Sequence, residues 1–127
     1  MAMPRSRASA KKAGSAQETL MANYFAEALG DDRIERRRLA GSKDVGDIGG
    51  IRVHGQKLCV EVKNCAKTDL PGWIREAHTE ARNDGALCGV VTFKRRGTTD
   101  PGSQFVVMEA RDLVALITGK TQEGCHG

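Results

Sequence analysis

An α/β fold, a central mixed sheet flanked by helices, follows from three features of the sequence. Two segments place apolar residues at helical spacing and stop on glycine: Leu20, Met21, Tyr24, Phe25, Ala28 and Leu29 before Gly30, and Leu70, Trp73, Ile74, Ala77 and Ala81 before Gly85. Between them, "GDIGGIRVHGQKLCVEVKN" reads as a hairpin, and after them "ALCGVVTF" is an apolar run of strand length. With 127 residues, 39% of them apolar and 28% charged, the chain suits one ordinary core.

Residues 1–14 carry Arg5, Arg7, Lys11 and Lys12 without an acid, so the whole formal charge of +4 sits in this arm. Its Ser, Ala, Lys and Gly content predicts disorder, with contact to phosphates or simple solvation as its uses. "SAQE" then matches a capping box, in which Ser15 and Glu18 cap each other's amides, and predicts a helix over 16–29. "RIERRRL" (33–39) reads as a strand with Arg36, Arg37 and Arg38 at or near an edge. The hairpin takes 47–53, a turn at "HGQ", and 57–63. Pro71 in its first turn supports the second helix. "ALCGVVTF", the turn-rich "GTTDPGS", "QFVVME" and the helix "ARDLVALIT" closed by Gly119 complete the order α-β-β-β-α-β-β-α, leaving 120–127 as a flexible tail.

Several function classes are excluded. No apolar run reaches the roughly 20 residues of a membrane span, and no apolar stretch follows the basic N-terminus as in a secretory signal, which predicts a cytoplasmic protein. Cys59, Cys65, Cys88 and Cys125 form no C-x-x-C pair and no His pair has zinc spacing, so reduced and mostly buried thiols are expected. The five aromatic residues alternate with no basic repeat, against a single-strand stacking platform. Trp73 is expected to pack, His54 to sit in a turn, and His78 to be exposed on its helix.

The hairpin poses the chemical question, because Asp47, Glu61 and Lys63 stand in strands where charge is costly. In "KLCVEVK", Leu58, Val60 and Val62 share one face, and Lys57, Cys59, Glu61 and Lys63 the other. A three-residue turn at His54, Gly55 and Gln56 puts Asp47 opposite Lys63 on that second face. A two-residue turn throws it to the far side unless a bulge corrects the register. Gly49 and Gly50 leave room beside the carboxylates. Two carboxylates converging on a lysine suit Mg2+, or Mn2+ in its place, for phosphodiester cleavage: such a cation acidifies a water and steadies charge on phosphorus. Lys63 could stabilise that charge or help deprotonate the water. A solvated ion-pair cluster on a sheet face fits the same spacing equally.

"GD" followed by "EVK", with Glu61 fourteen residues after Asp47, resembles the core of the PD-(D/E)-x-K nuclease superfamily, Gly46 standing where the superfamily name has Pro. With a preceding helix bearing Glu18, the hairpin, "EVKN", "GWIREA" and a strand ending in Lys94, Arg95 and Arg96, residues 12–118 resemble the Holliday junction resolvase branch, especially small phage-encoded proteins. The resemblance implies a restriction-endonuclease-like core over 15–119. It also implies metal ligation by Asp47, Glu61 and the Val62 carbonyl, a catalytic Lys63, and Glu18 as a helix-borne acid assisting the metal or its water. Asp44 is a second candidate acid. The implied substrate is branched DNA, most simply four-way junctions in recombination or repair inside a bacterial host, cut by a homodimer because resolution needs two symmetric nicks. Arg36, Arg37, Arg38, Lys43, Lys94, Arg95 and Arg96, with Lys11 and Lys12 of the arm, are the candidate DNA contacts. An arginine-rich edge strand also guards against edge-to-edge pairing. Another repair or replication nuclease of this fold, or a DNA-binding module that does not cleave, are the alternatives.

Overall fold

The computed structural model describes residues 7–37 and 45–123. Three helices flank a mixed six-stranded sheet, in the order α1 (Arg7–Leu29), β1 (Glu35–Arg36), β2 (Ile48–Gly49), β3 (Arg52–Val53), β4 (Gln56–Lys63), α2 (Leu70–Asp84), β5 (Cys88–Phe93), β6 (Phe105–Val107) and α3 (Ala110–Thr118). The class is the expected one, but the element order gains a strand, because the segment 47–53 is broken into β2 and β3. The sheet runs β1-β2-β4-β5-β6, with β3 also paired to β4; β4 and β5 are parallel and all other pairs antiparallel. Arg5, Arg38, Lys43, Asp44 and Cys125 lie outside the described residues. No helix among the described residues is long and apolar enough to cross a membrane.

The first helix begins at Arg7 rather than after Ser15. "RASAKKAG" is rich in alanine and lysine, both strong helix formers, and nothing in it stops a helix from running back through it. Ser15 is therefore mid-helix, and its hydroxyl accepts from Arg36 Nη2 at 3.2 Å instead of capping. The second helix starts and ends as its sequence suggests: Asp69 accepts from the Gly72 amide at 3.1 Å, Pro71 stands in the first turn, and Gly85 closes the helix in the left-handed conformation. Of the strand expected over 33–39, the described residues form Glu35 and Arg36, opposite Gly49 and Ile48, and the Arg37 amide donates to the Asp47 carbonyl at 2.7 Å, while 38 and 39 lie outside the described residues.

The hairpin departs from the expected turn in an instructive way. Val53 stands opposite Gln56, so the turn has two residues, His54 and Gly55, both at positive φ (54° and 74°), as a tight hairpin turn requires. Gln56 is the first residue of β4. Further along, the Leu58 amide donates to the Ile51 carbonyl at 3.0 Å while Ile48 stands opposite Val60. One strand thus takes three steps where its partner takes two, and the extra residue is a bulge at Gly50, whose φ is +93°. A Cβ at Gly50 would lie 2.4 Å from the Arg33 carbonyl oxygen.

The two faces of β4 and β5 serve different helices. On one, Val60, Val62 and Val90 join Ile34, Ile48 and Ile51 against Met21 and Ala22 of α1. On the other, Cys59 meets Ala81, and Val91 meets Trp73 and Ala77 of α2. Trp73 packs on Phe93 with ring centroids 5.4 Å apart, the packing role expected of it. Cys59 and Cys88 are buried and Cys65 is exposed, with no disulfide among the described residues. His54 holds α3 in place, its Nε2 2.8 Å from the Leu116 carbonyl.

The approach of α2 to the sheet depends on Gly89, where a Cβ would sit 2.4 Å from the Ala77 carbonyl oxygen. Backbone on both sides leaves no flexible group to yield. Gly89→Ala is expected to lower the unfolding free energy by about 1–3 kcal/mol in urea denaturation, without altering the slope of the transition.

Candidate metal centre

The register step at Gly50 decides what faces Glu61. Continuing from Ile48 opposite Val60, Asp47 comes beside Glu61 rather than Lys63, and the two carboxyls lie within hydrogen-bonding reach. Asp47 Oδ2 also accepts from the Val62 amide at 2.8 Å, which fixes the carboxylate against β4. The N–H and C=O of one strand residue point to the same side, so the Val62 carbonyl faces the same edge as Asp47.

Two helices add further carboxyls. From α1, Glu18 reaches the Asp47 carboxyl and also accepts from Arg36 Nε at 2.7 Å. From α2, Glu80 is 1% exposed and within hydrogen-bonding reach of Glu61, itself 3% exposed. One turn earlier, Glu76 accepts from Lys63 Nζ at 2.7 Å. Ligand atoms of Glu61, Glu76 and Glu80 lie within 4.8 Å of one another and could hold a metal ion.

Glu76 lies within "GWIREA" without a role assigned to it by that motif, and Glu80 lies in no motif. The available signal was that Glu80 falls inside the apolar stripe, three residues after Ala77 and one before Ala81, where a solvated acid does not belong.

The electrostatics follow from this crowding. Burial first, then contact with Asp47 and Glu80, pushes the Glu61 carboxyl far above its ordinary 4.5. Glu18 is also raised, by burial and by Asp47, against the lowering effect of Arg36. Burial works against the Lys63 ammonium, but Glu76 and Glu61 together carry it above the ordinary lysine value. Lys63 is thereby held as a charged donor to Glu76. An all-oxygen donor set of this kind matches a hard divalent cation and offers no thiolate or imidazole to a softer one.

The candidate DNA contacts are placed unevenly. Arg36 is engaged by Glu18 and Ser15, while Arg37 donates to the Val45 carbonyl at 2.8 Å and to Asp84 at 3.1 Å. Lys94 folds back on the carbonyls of Arg95 and Thr98, and Arg95 lies over the Phe105 ring at 4.8 Å. Arg96, Lys11 and Lys12 are exposed. The Ala13 carbonyl accepts from Asn64 at 3.4 Å, bringing the start of α1 to the Lys63 end of β4.

His78 corrects an expectation, being buried rather than exposed. Its Nε2 is 2.9 Å from Asp112 Oδ2, and the same oxygen accepts from the Glu109 amide at 2.9 Å to cap α3. The buried imidazole thus ties α2 to the first turn of α3. With Glu109 these side chains form a second group that could hold a metal ion.

No family model matches the chain, and no curated protein or solved structure matches it.

The raised Glu61 carboxyl has a stability consequence with a definite sign. The unfolded chain releases this proton near 4.5 and the folded chain retains it, so its contribution is full below that pH and is lost as pH rises. In EDTA, the melting temperature is expected to fall between about pH 5 and pH 8; saturating Mg2+ should reverse the fall and Glu61→Gln should flatten it.

Proposed function

We propose that the protein is a divalent-cation-dependent endonuclease acting on branched DNA, most specifically a Holliday junction resolvase using Mg2+ or Mn2+. The observation that carries this reading is the pairing of Asp47 with Glu61 beside Lys63, produced by a bulge where a regular hairpin would have separated them. The resemblance of "GD" and "EVK" to the PD-(D/E)-x-K core assigns these three residues to one site, and their proximity supports that assignment. Glu18, reaching the Asp47 carboxyl from α1, agrees with its proposed part as the helix-borne acid.

In this reading a bound cation supplies an acidified water and charge stabilisation at phosphorus. Asp47, Glu61 and the Val62 carbonyl hold it. The Val62 amide keeps Asp47 oriented, and Glu18 can accept a proton or steady a water beside Asp47. Lys63, charged and mostly buried, donates to the phosphate as negative charge develops. Arg96, Lys11 and Lys12, exposed around the ends of β4 and β5, offer sequence-independent contacts to the DNA backbone. Two symmetric nicks call for a homodimer. The exposed apolar residues Leu113, Val114 and Ile117 of α3 offer a surface for it.

A synthetic immobile four-way junction, incubated beside a linear duplex of the same sequence, tests the proposal. Paired nicks near the branch point with Mg2+, none with EDTA and none on the duplex, are expected. Glu61→Gln and Lys63→Met should each lower the rate by about a hundredfold or more while junction binding persists. Equal cutting of both substrates would leave a nuclease without junction preference. Binding without cleavage under every divalent cation would leave a DNA-binding module.

A further inference from the structure

The pairing of Lys63 with Glu76 bears on how a cation could enter the site. Lys63 lies two residues after Glu61 on the same face of β4, and its side chain is 19% exposed. A mostly buried ammonium must have an anionic partner. Two acids stand within its reach. Glu61 is buried among carboxyls, whereas Glu76 is 42% exposed on α2 and holds Nζ at 2.7 Å. Glu76 and Glu80 are one helical turn apart, so the close approach of α2 over Gly89 sets one against Lys63 and the other against Glu61.

We propose that Glu76 is a positioning residue that holds the Lys63 ammonium out of the Asp47 and Glu61 carboxylate seat, leaving that seat open to a divalent cation. The inference rests on Asp47 and Glu61 being cation ligands. Without the charge on Glu76, the nearest acid left to Lys63 is Glu61. An ammonium seated there occupies the oxygens a cation needs and must be displaced before a cation binds. The ion pair with Glu76 thus keeps two positive charges, one intrinsic and one acquired, from competing for the same oxygens.

Mn2+ affinity of the full chain, measured by titration calorimetry, tests this without relying on cleavage. Glu76→Gln, a near-isosteric change on a part-exposed helix position, is expected to weaken Mn2+ binding by about tenfold. Lys63→Met alone should not weaken it, and the double variant should return to the Lys63→Met value, because the competing ammonium is gone. Wild-type affinity in Glu76→Gln would overturn the positioning role. A double variant as weak as Glu76→Gln would also overturn it, making Glu76 a ligand in its own right. Mn2+ binding that Asp47→Asn leaves unchanged, or no binding by the wild type, would overturn the cation seat itself and the inference with it.

Discussion

The single extra residue at Gly50 is the constraint on which the arrangement depends. A strand alternates its side chains strictly, so the position of every residue from Ile51 back to Asp47 is set by how many residues lie between the turn and the pairing with Val60. Without the bulge, the two-residue turn would direct Ile48 away from α1 and turn Asp47 into the apolar face built from Met21, Val60 and Val62. With it, Ile48 is buried in that core and Asp47 stands beside Glu61. The demand of the core for Ile48 and the demand of the site for Asp47 are met by the same step. Only glycine meets it readily, because the bulge lies at positive φ against the Arg33 carbonyl.

The site that results is costly for a small protein. Glu61 and Glu80 are almost fully enclosed, and Asp47 and Glu18 extend the same line of carboxyls toward α1. Burial opposes ionisation of such groups, and each ionised neighbour opposes it further. A fold gains nothing in stability by assembling them, and replacing them with apolar residues of similar size is commonly neutral or stabilising in buried clusters. Lys63 does not balance the group, because it is engaged with Glu76 on the outer side. A hard divalent cation would offset the repulsion, and the acidic group is one that could hold such an ion.

The parts of this structure that the sequence makes legible are those governed by local rules. The second helix, with Asp69 as cap, Pro71 in the first turn and Gly85 at the end, lies where caps and periodicity place it. The candidate site was readable as two carboxylates and a lysine, and as conditional on the turn. The turn itself was not readable, because "HGQ" suits two or three residues and the bulge is decided by packing of Ile48 and Ile51 against α1. Ser15 and Glu18 resemble a capping box, but a favourable helix sequence upstream carries α1 through them, releasing Glu18 toward Asp47. The roles of Glu76 and Glu80 and the buried state of His78 depend on how α2 lies on the sheet and meets Asp112 at the start of α3, which no pattern within the helix specifies.

Where a divalent cation sits is the most direct test of this account. Crystals of the protein soaked in Mn2+ and measured at a wavelength where manganese scatters anomalously would show the position without reference to any substrate. A peak is expected between the carboxyls of Asp47 and Glu61, within ligand distance of the Val62 carbonyl. A peak only at His78, Glu109 and Asp112, or none near Asp47, would contradict it.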